Sequence, residues 1–175
     1  MSEIRQLAVQ DSEIFSKIAP EIYLEFFRYL WQDEGRSYAA QSFDRQTFKS
    51  EIKSGEKLYY GVFSDSKMIG FLKICLNGTL SVFVEKKAFE IEKIYLSKKF
   101  HGRGIGKNLM ELSIEIARKM DKEIIWLEVV AGNKSAIRFY ESLGFEKCGN
   151  SKIDFPTVKP EFSELIVMQK TLEAK

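Results

Sequence analysis

The sequence is poor in the residues that build covalent or metal frameworks. It holds 2 Cys, 1 His and 3 Pro among 175 residues. Cys75 and Cys148 lie far apart with no C-x-x-C, and His101 has no second histidine to share a metal with, so a disulfide scaffold and a zinc site both lack ligands. No metal is expected, and both cysteines read as small core residues. No apolar run reaches the length of a membrane span, and MSEIRQLAVQ has no apolar stretch behind a basic start. Neither a membrane partner nor a secretion signal is expected, and the predicted location is cytoplasmic. Charge of one sign is also missing: 27 Lys and Arg face 25 Asp and Glu, a formal net charge of +2, spread without blocks. That balance gives no nucleic-acid footprint, and the pairs Lys86-Lys87 and Lys98-Lys99 read as exposed loop residues.

What is present is 45% hydrophobic and 13% aromatic residues, enough for one well-filled core, so residues 1–175 are expected to form a single domain. The patterning predicts strands at Ile4–Val9, Lys57–Phe63, Lys67–Leu76, Phe89–Leu96, Glu123–Val130 and Leu165–Leu172. Helices are predicted at Ser12–Pro20, Glu21–Trp31, Asp44–Ser54, Ile105–Met120 and Lys134–Leu143. Asp44 is placed as an N-cap and Gly55 as a C-terminal stop. Ser64-Asp65-Ser66 and Asn77-Gly78 are turn signals, and the polar stretch Gln32–Gln41 reads as a loop over a substrate. The order of elements points to an α/β fold with one mixed, mostly antiparallel, twisted sheet of six or seven strands flanked by helices.

One short stretch carries chemistry. In FHGRGIGKNL, Gly102, Gly104 and Gly106 stand just before a helix whose Ile105, Leu109, Leu112, Ile116 and Met120 recur at three- and four-residue steps. The first amides of a helix lack internal partners and the dipole is positive there, so glycines let a phosphate approach closely. Arg103 and Lys107 add positive charge. A tight turn without a ligand would use the same glycines. The dinucleotide fingerprint fails at Lys107, and the ATP loop G-x-x-x-x-G-K-S/T fails at His101 and Asn108.

The segment does match Q/R-x-x-G-x-G/A, with His101 where Gln or Arg is usual. Downstream, Asn133, Ala136, Phe139, Tyr140, Leu143, Gly144 and Phe145 reproduce N-x-x-A-x-x-F/L-Y-x-x-x-G-F. Together these motifs resemble the GNAT superfamily of N-acetyltransferases. EIEKIYLSKKF, IWLEV and ELIVMQKTL look most like the PaiA-type polyamine (spermidine and spermine) acetyltransferases of bacteria. The similarity is strong from Phe89 to Leu172, whereas the first third is only compatible with an acceptor-binding region.

The resemblance implies acetyl-CoA as cosubstrate, wedged where the parallel strands Phe89–Leu96 and Glu123–Val130 splay apart. It implies backbone contacts from Ile94, Tyr95 and Leu96 to the pantetheine arm, and an amide of Leu96 aimed at the thioester oxygen. Residues His101, Gly102, Arg103, Gly104, Ile105, Gly106 and Lys107 would hold the diphosphate, with Asn133 and Ser135 close by. Tyr140 would protonate the leaving thiolate. An alkylamine with a pKa of about 10.4 must lose a proton before it attacks, and Glu90 and Glu92 alternate on the strand beside the thioester, projecting with Ile94 and Leu96. Either could be the base, directly or through water, with Glu92 favoured. A neutral His101 offers one donor only, which predicts pH-sensitive cofactor binding. Glu21, Glu25, Asp33 and Glu34 could hold a second ammonium of a polyamine, or could be solvated. Other acceptors are a protein N-terminus, a lysine or another small amine, and a non-catalytic CoA-binding regulator is the alternative from a different class. A homodimer is common in such proteins, although nothing in the sequence decides it.

Overall fold

A computed structural model describes residues 2–78 and 87–173. Lys86 lies outside them, and Lys98 opens a short 3-10 turn at Lys98–Phe100. Seven strands form one sheet: β1 Ser2–Gln6, β2 Lys57–Ser64, β3 Lys67–Cys75, β4 Ala88–Leu96, β5 Ile124–Val130, β6 Glu146–Lys152 and β7 Glu164–Thr171, in the order β1-β2-β3-β4-β5-β7-β6. Every neighbouring pair is antiparallel except β4 and β5, which run parallel, so the mixed sheet expected from the sequence is present. The helices are α1 Ser12–Phe27, α2 Arg36–Ser42, α3 Arg45–Ser54, α4 Ile105–Lys119 and α5 Lys134–Ser142. Among the described residues no helix is long and apolar enough to cross a membrane.

Each face of the sheet carries its own core. One packs Leu72, Phe89, Ile91, Ile125 and Leu127 against Ile105, Leu109 and Ile137 of α4 and α5. The other is aromatic. Phe15 of α1 stacks on Phe48 of α3 at 4.5 Å and meets the edges of Tyr59 and Phe71 of the sheet at 5.1 and 5.3 Å.

Several local expectations hold for the reasons that produced them. The Asp44 carboxylate accepts from the amides of Gln46 and Thr47, and Gly55 closes α3 at φ 74°. Asp65 and Ser66 make the β2–β3 hairpin turn with positive φ at both residues. Other expectations change. The break placed at Pro20 is absent: α1 runs through it because Phe15, Ala19, Ile22 and Tyr23 make one buried stripe that holds both halves on the sheet. The polar stretch 32–41 is no loop throughout, since Asp33 accepts from the amides of Gly35 and Ser37 and so starts α2. In α4 the packed line is Ile105, Leu109, Ser113 and Ala117, with Met120 exposed. Ser113 fits in the core because its hydroxyl donates back to the Leu109 carbonyl at 2.8 Å. Strand β6, EKCGNSK, carries no alternating apolar signal because it is an edge strand with both faces partly exposed. Both cysteines are free and only half-buried rather than core residues.

Phe15 is 1% exposed at the centre of the aromatic core. Phe15→Ala is expected to cost about 3–5 kcal/mol, read as a lower urea midpoint with an unchanged denaturant slope.

Candidate active site

The site begins with an irregularity in β4. Lys73 of β3 pairs with Lys93 and Ile74 pairs with Ile91, so Glu92 is an extra residue, a β-bulge. On the other edge of β4 the parallel pairing with β5 ends at Ile91 and Leu127. Beyond that point the strands separate, as the family resemblance implied, and open a cleft of about 730 Å³.

The bulge resets the alternation of side chains, which corrects one expectation. Glu90 and Glu92 do project to the same side, that of α1 and α2. Past the bulge Lys93 and Tyr95 stay on that side, while Ile94 and Leu96 turn to the α4 core. The main chain is reset too. The Ser97 amide donates to the Ile69 carbonyl at 2.8 Å, so Gly70 and Leu96 form the next, non-hydrogen-bonded pair. The same alternation leaves the amide and carbonyl groups of Ile94 and Leu96 facing away from β3, into the gap beside β5. Tyr95 differs from its neighbours: its main chain pairs with Phe71, and its ring packs on Tyr23 and Phe27 at 5.4 and 5.6 Å.

At the mouth of the gap lies the glycine loop. Gly102 and Gly104 have φ of 75° and 78°, a left-handed backbone that glycine adopts without strain, and Gly104 caps α4. The first helical bond from this end is Asn108 amide to Gly104 carbonyl, so among the described residues the amides of 102–107 have no protein acceptor. Six free donors at a helix N-terminus fit a diphosphate. The Arg103 guanidinium lies over the Phe100 ring at 5.1 Å, and Lys107 pairs loosely with Glu111 at 3.7 Å. His101 lines the cleft differently from the expected phosphate ligand. Its Nε2 donates to the Leu96 carbonyl at 2.8 Å and its ring stacks on Phe26 at 5.2 Å. With Nε2–H so engaged, a neutral ring has no second N–H for a phosphate. Asn133 caps α5, its Oδ1 accepting from the Ala136 amide at 3.2 Å, and Ser135 lines the same cleft.

The two glutamates have opposite surroundings. Glu92 is ion-paired with Lys73 at 2.5 Å, with Lys57, and with Lys93 at 3.8 Å. The ammonium groups around it outweigh the cost of burial and hold its carboxyl at about 2. A carboxylate so weakly basic is a poor proton acceptor. Glu90 has no cation within ion-pairing distance among the described residues. Burial, reinforced by the charge of Glu92, pushes it up to about 7, the range a base needs at neutral pH. Gly78, which the sequence marked only as a turn, helps to bury it: a Cβ there would lie 2.5 Å from the Glu90 Cβ. The Gly78 carbonyl also accepts from the Trp126 indole at 2.9 Å. Tyr140 lines the cleft at 8% exposure, its phenol is pushed up by burial, and among the described residues no protein group hydrogen-bonds its hydroxyl.

Of the two readings left open for the acidic residues of the first third, a groove for a second ammonium is not assembled. Glu21, Glu25, Asp33 and Glu34 do not line the cleft. Glu25 instead accepts from the Ser97 hydroxyl and the Lys98 amide at 2.9 and 2.8 Å, Asp33 starts α2, and Glu34 reaches Arg28 at 3.8 Å. What lines the α1 and α2 side of the cleft is aromatic: Tyr23, Phe27, Trp31, Tyr38 and Tyr95.

A parallel strand pair that parts beside a glycine-capped helix, with a buried tyrosine and glutamate facing the gap, is the architecture of an acyltransferase. Residues 19–145 match the model of the Acetyltransferase (GNAT) family, and the chain belongs to that family of acetyl-CoA-dependent enzymes. Among relatives, it is 28% identical over 146 residues to an uncharacterized N-acetyltransferase in the pepI 3' region of Lactobacillus delbrueckii subsp. lactis, covering 83% of this chain and 84% of that one. It is 30% identical to the ribosomal protein bS18-alanine N-acetyltransferase of Salmonella typhimurium, over 78% and 86% of the two chains. The fold superposes on the PaiA N-acetyltransferase of Thermoplasma acidophilum, solved with coenzyme A, with a TM-score of 0.76 at 23% identity, over 98% of this chain and 99% of that chain.

An alanine at Gly104 must either adopt its left-handed φ at a cost of about 1–2 kcal/mol or re-aim the free amides. Gly104→Ala is expected to weaken acetyl-CoA binding about tenfold by calorimetry; unchanged affinity would show that the loop does not hold the cofactor.

Proposed function

We propose that the chain, acting as one domain, acetylates a primary amine by direct attack in a ternary complex, with Glu90 as the base and Tyr140 as the acid. The observation that carries the reading is that a glutamate near neutrality, a tyrosine hydroxyl without a protein partner among the described residues, and the main chain of Ile94 with the amide of Leu96, which face away from β3, all border one cleft. Bound acetyl-CoA would supply an activated acetyl group as a thioester. Gly102 to Lys107 would grip its diphosphate through their amides, with Asn133 and Ser135 beside it, and Ile94 and Leu96 would bond its pantetheine arm. His101 braces the loop through Leu96. The Leu96 amide would stabilise negative charge growing on the carbonyl oxygen.

Glu90 takes a proton from the entering ammonium, directly or through water. As the new N–C bond forms and the C–S bond breaks, Tyr140 gives its proton to the departing sulfur; the second amine proton restores neutrality through solvent. The products are an acetamide and a free thiol. Glu92, favoured from the sequence, is assigned to the structural ion-pair cluster. For the acceptor, spermidine and spermine are the reading suggested by the PaiA likeness, and a protein amino terminus is the reading suggested by the Salmonella relative. Glu90 and Glu128 are carboxylates of the cleft that a polycation would use.

Two substitutions test the roles. With a base near 7, activity of the free enzyme (kcat/KM) should rise with pH through that value, as the carboxylate forms, and level off above it. Glu90→Gln should abolish the rise and lower kcat about 10²–10⁴-fold, whereas Glu92→Gln should keep the rise. Tyr140→Phe should reduce kcat with acetyl-CoA affinity preserved. If no amine in a broad panel speeds thiol release from acetyl-CoA, the chain is a CoA-binding regulator instead.

A further inference from the structure

Three side chains in the aromatic half of the cleft, Tyr23, Tyr38 and Lys93, have hydrogen-bond donors to offer. The Trp31 indole can only donate, and its Nε1 lies 3.0 Å from the Tyr23 hydroxyl oxygen. The Tyr23 oxygen is therefore the acceptor of that bond, and its own O–H is left to donate. The Lys93 ammonium likewise can only donate, and it does so to the Tyr38 hydroxyl at 3.2 Å. Tyr38 is thus also left with a free O–H. Neither hydroxyl meets an acceptor among the described residues. The two rings lie 5.1 Å apart, Tyr38 stacks on Trp31 at 4.5 Å, and Tyr23 is 3% exposed. Lys93 joins them as a third donor from the floor, its side chain 11% exposed and its ammonium over the rings of Tyr38 and Phe43.

Charge counts in the same direction. The buried cluster beneath the bulge joins Lys57, Lys73 and Lys93 to two carboxylates, Glu51 and Glu92. Lys73 takes both carboxylates at 3.0 and 2.5 Å and Lys57 takes Glu92, so Lys93 is the ammonium left with the weakest share, 3.8 Å from Glu92. An ionised Glu90 would balance it. Once Glu90 accepts the amine proton, three ammonium groups face two carboxylates in a poorly solvated site, and buried charge without a partner is costly. Glu128 does not correct this, because it is exposed and bonded to Ser151.

We propose that the acceptor is a small amine that also carries a carboxylate, an amino-acid-like zwitterion, and that Lys93, Tyr38 and Tyr23 bind that carboxylate while Glu90 receives the proton of the amine. The inference rests on the acetyl-transfer reading above and narrows its acceptor. A carboxylate accepts from all three groups and replaces the charge that Glu90 gives up. Spermidine or spermine would bring a further ammonium against Lys93, and a peptide amino terminus would offer only neutral carbonyls. The aromatic walls suit an apolar body between the amine and the pocket rim.

The test compares each of a set of amino acids with its own primary amide, and with spermidine and spermine, as acceptors for the full chain with acetyl-CoA. The acids should be preferred over their amides by about tenfold or more in kcat/KM, the worth of a charged hydrogen bond. Lys93→Met leaves two lysines on two carboxylates and should bring the acid-to-amide ratio towards one; Tyr38→Phe, which removes a donor and no charge, should lower it partway. Amides or polyamines acetylated as well as the acids would overturn the proposal. So would variants that slow acids and amides in equal proportion. If nothing in the panel is acetylated, the transfer reading fails on its own, and calorimetry of N-acetyl amino acids against their amides with CoA present still decides the pocket: tighter binding of the acid supports it, equal binding refutes it.

Discussion

The molecule depends on one extra residue in one strand. Glu92 has no partner on β3, and its insertion bends β4 at the place where its parallel pairing with β5 stops. A bulge in an isolated strand would be a defect; here the misfit is anchored from below. Glu92 is held by Lys57 and Lys73, and Lys73 is in turn held by Glu51 of α3, which also accepts from the Tyr59 hydroxyl. With the bulge secured, the main chain of Ile94 and the amide of Leu96 face the gap beside β5 instead of closing the sheet.

The same cluster divides labour between two glutamates that look equivalent in sequence. Both are largely buried, and burial alone would raise both. The difference is the lysines: three surround Glu92 and keep it ionised, and among the described residues none comes within ion-pairing distance of Glu90, which Gly78 covers from above. One carboxylate thereby serves the fold and the other keeps a proton affinity suited to exchange at neutral pH. The structure needs the pair in these roles together, since the charge on Glu92 is also part of what raises Glu90.

The two halves of the cleft are joined through α1. Glu25 accepts from Ser97 and Lys98 at the end of β4, and Phe26 stacks on His101, whose ring bonds the Leu96 carbonyl. The helix that carries Tyr23 and Phe27 into the aromatic side of the cleft therefore also holds the entrance to the glycine loop. Residues 153–163 complete the enclosure from the far side, with the Gln32 amide on the Thr157 carbonyl and Phe155 edge-on to Trp31 and Tyr38.

The sequence alone determined what local chemistry determines. Glycines before a helical stripe place free amides at its start; Asp44 and Asn133 cap the helices that follow them; alternation marks the central strands. Those signals are short-range, so they survive without knowledge of the partners, and with the family motifs they led to the fold and to the cosubstrate. Tertiary structure alone decided the rest. The stripe of α4 turned, Pro20 was absorbed, and β6 formed at an edge because packing partners outweighed weak local patterns. Which glutamate can take a proton, and where Ile94 and Leu96 point, depend on a bulge and on lysines from two other strands. Strand alternation carries no sign of a register shift, and the proton affinity of a carboxylate is set by the charges and solvent around it rather than by its neighbours in the chain.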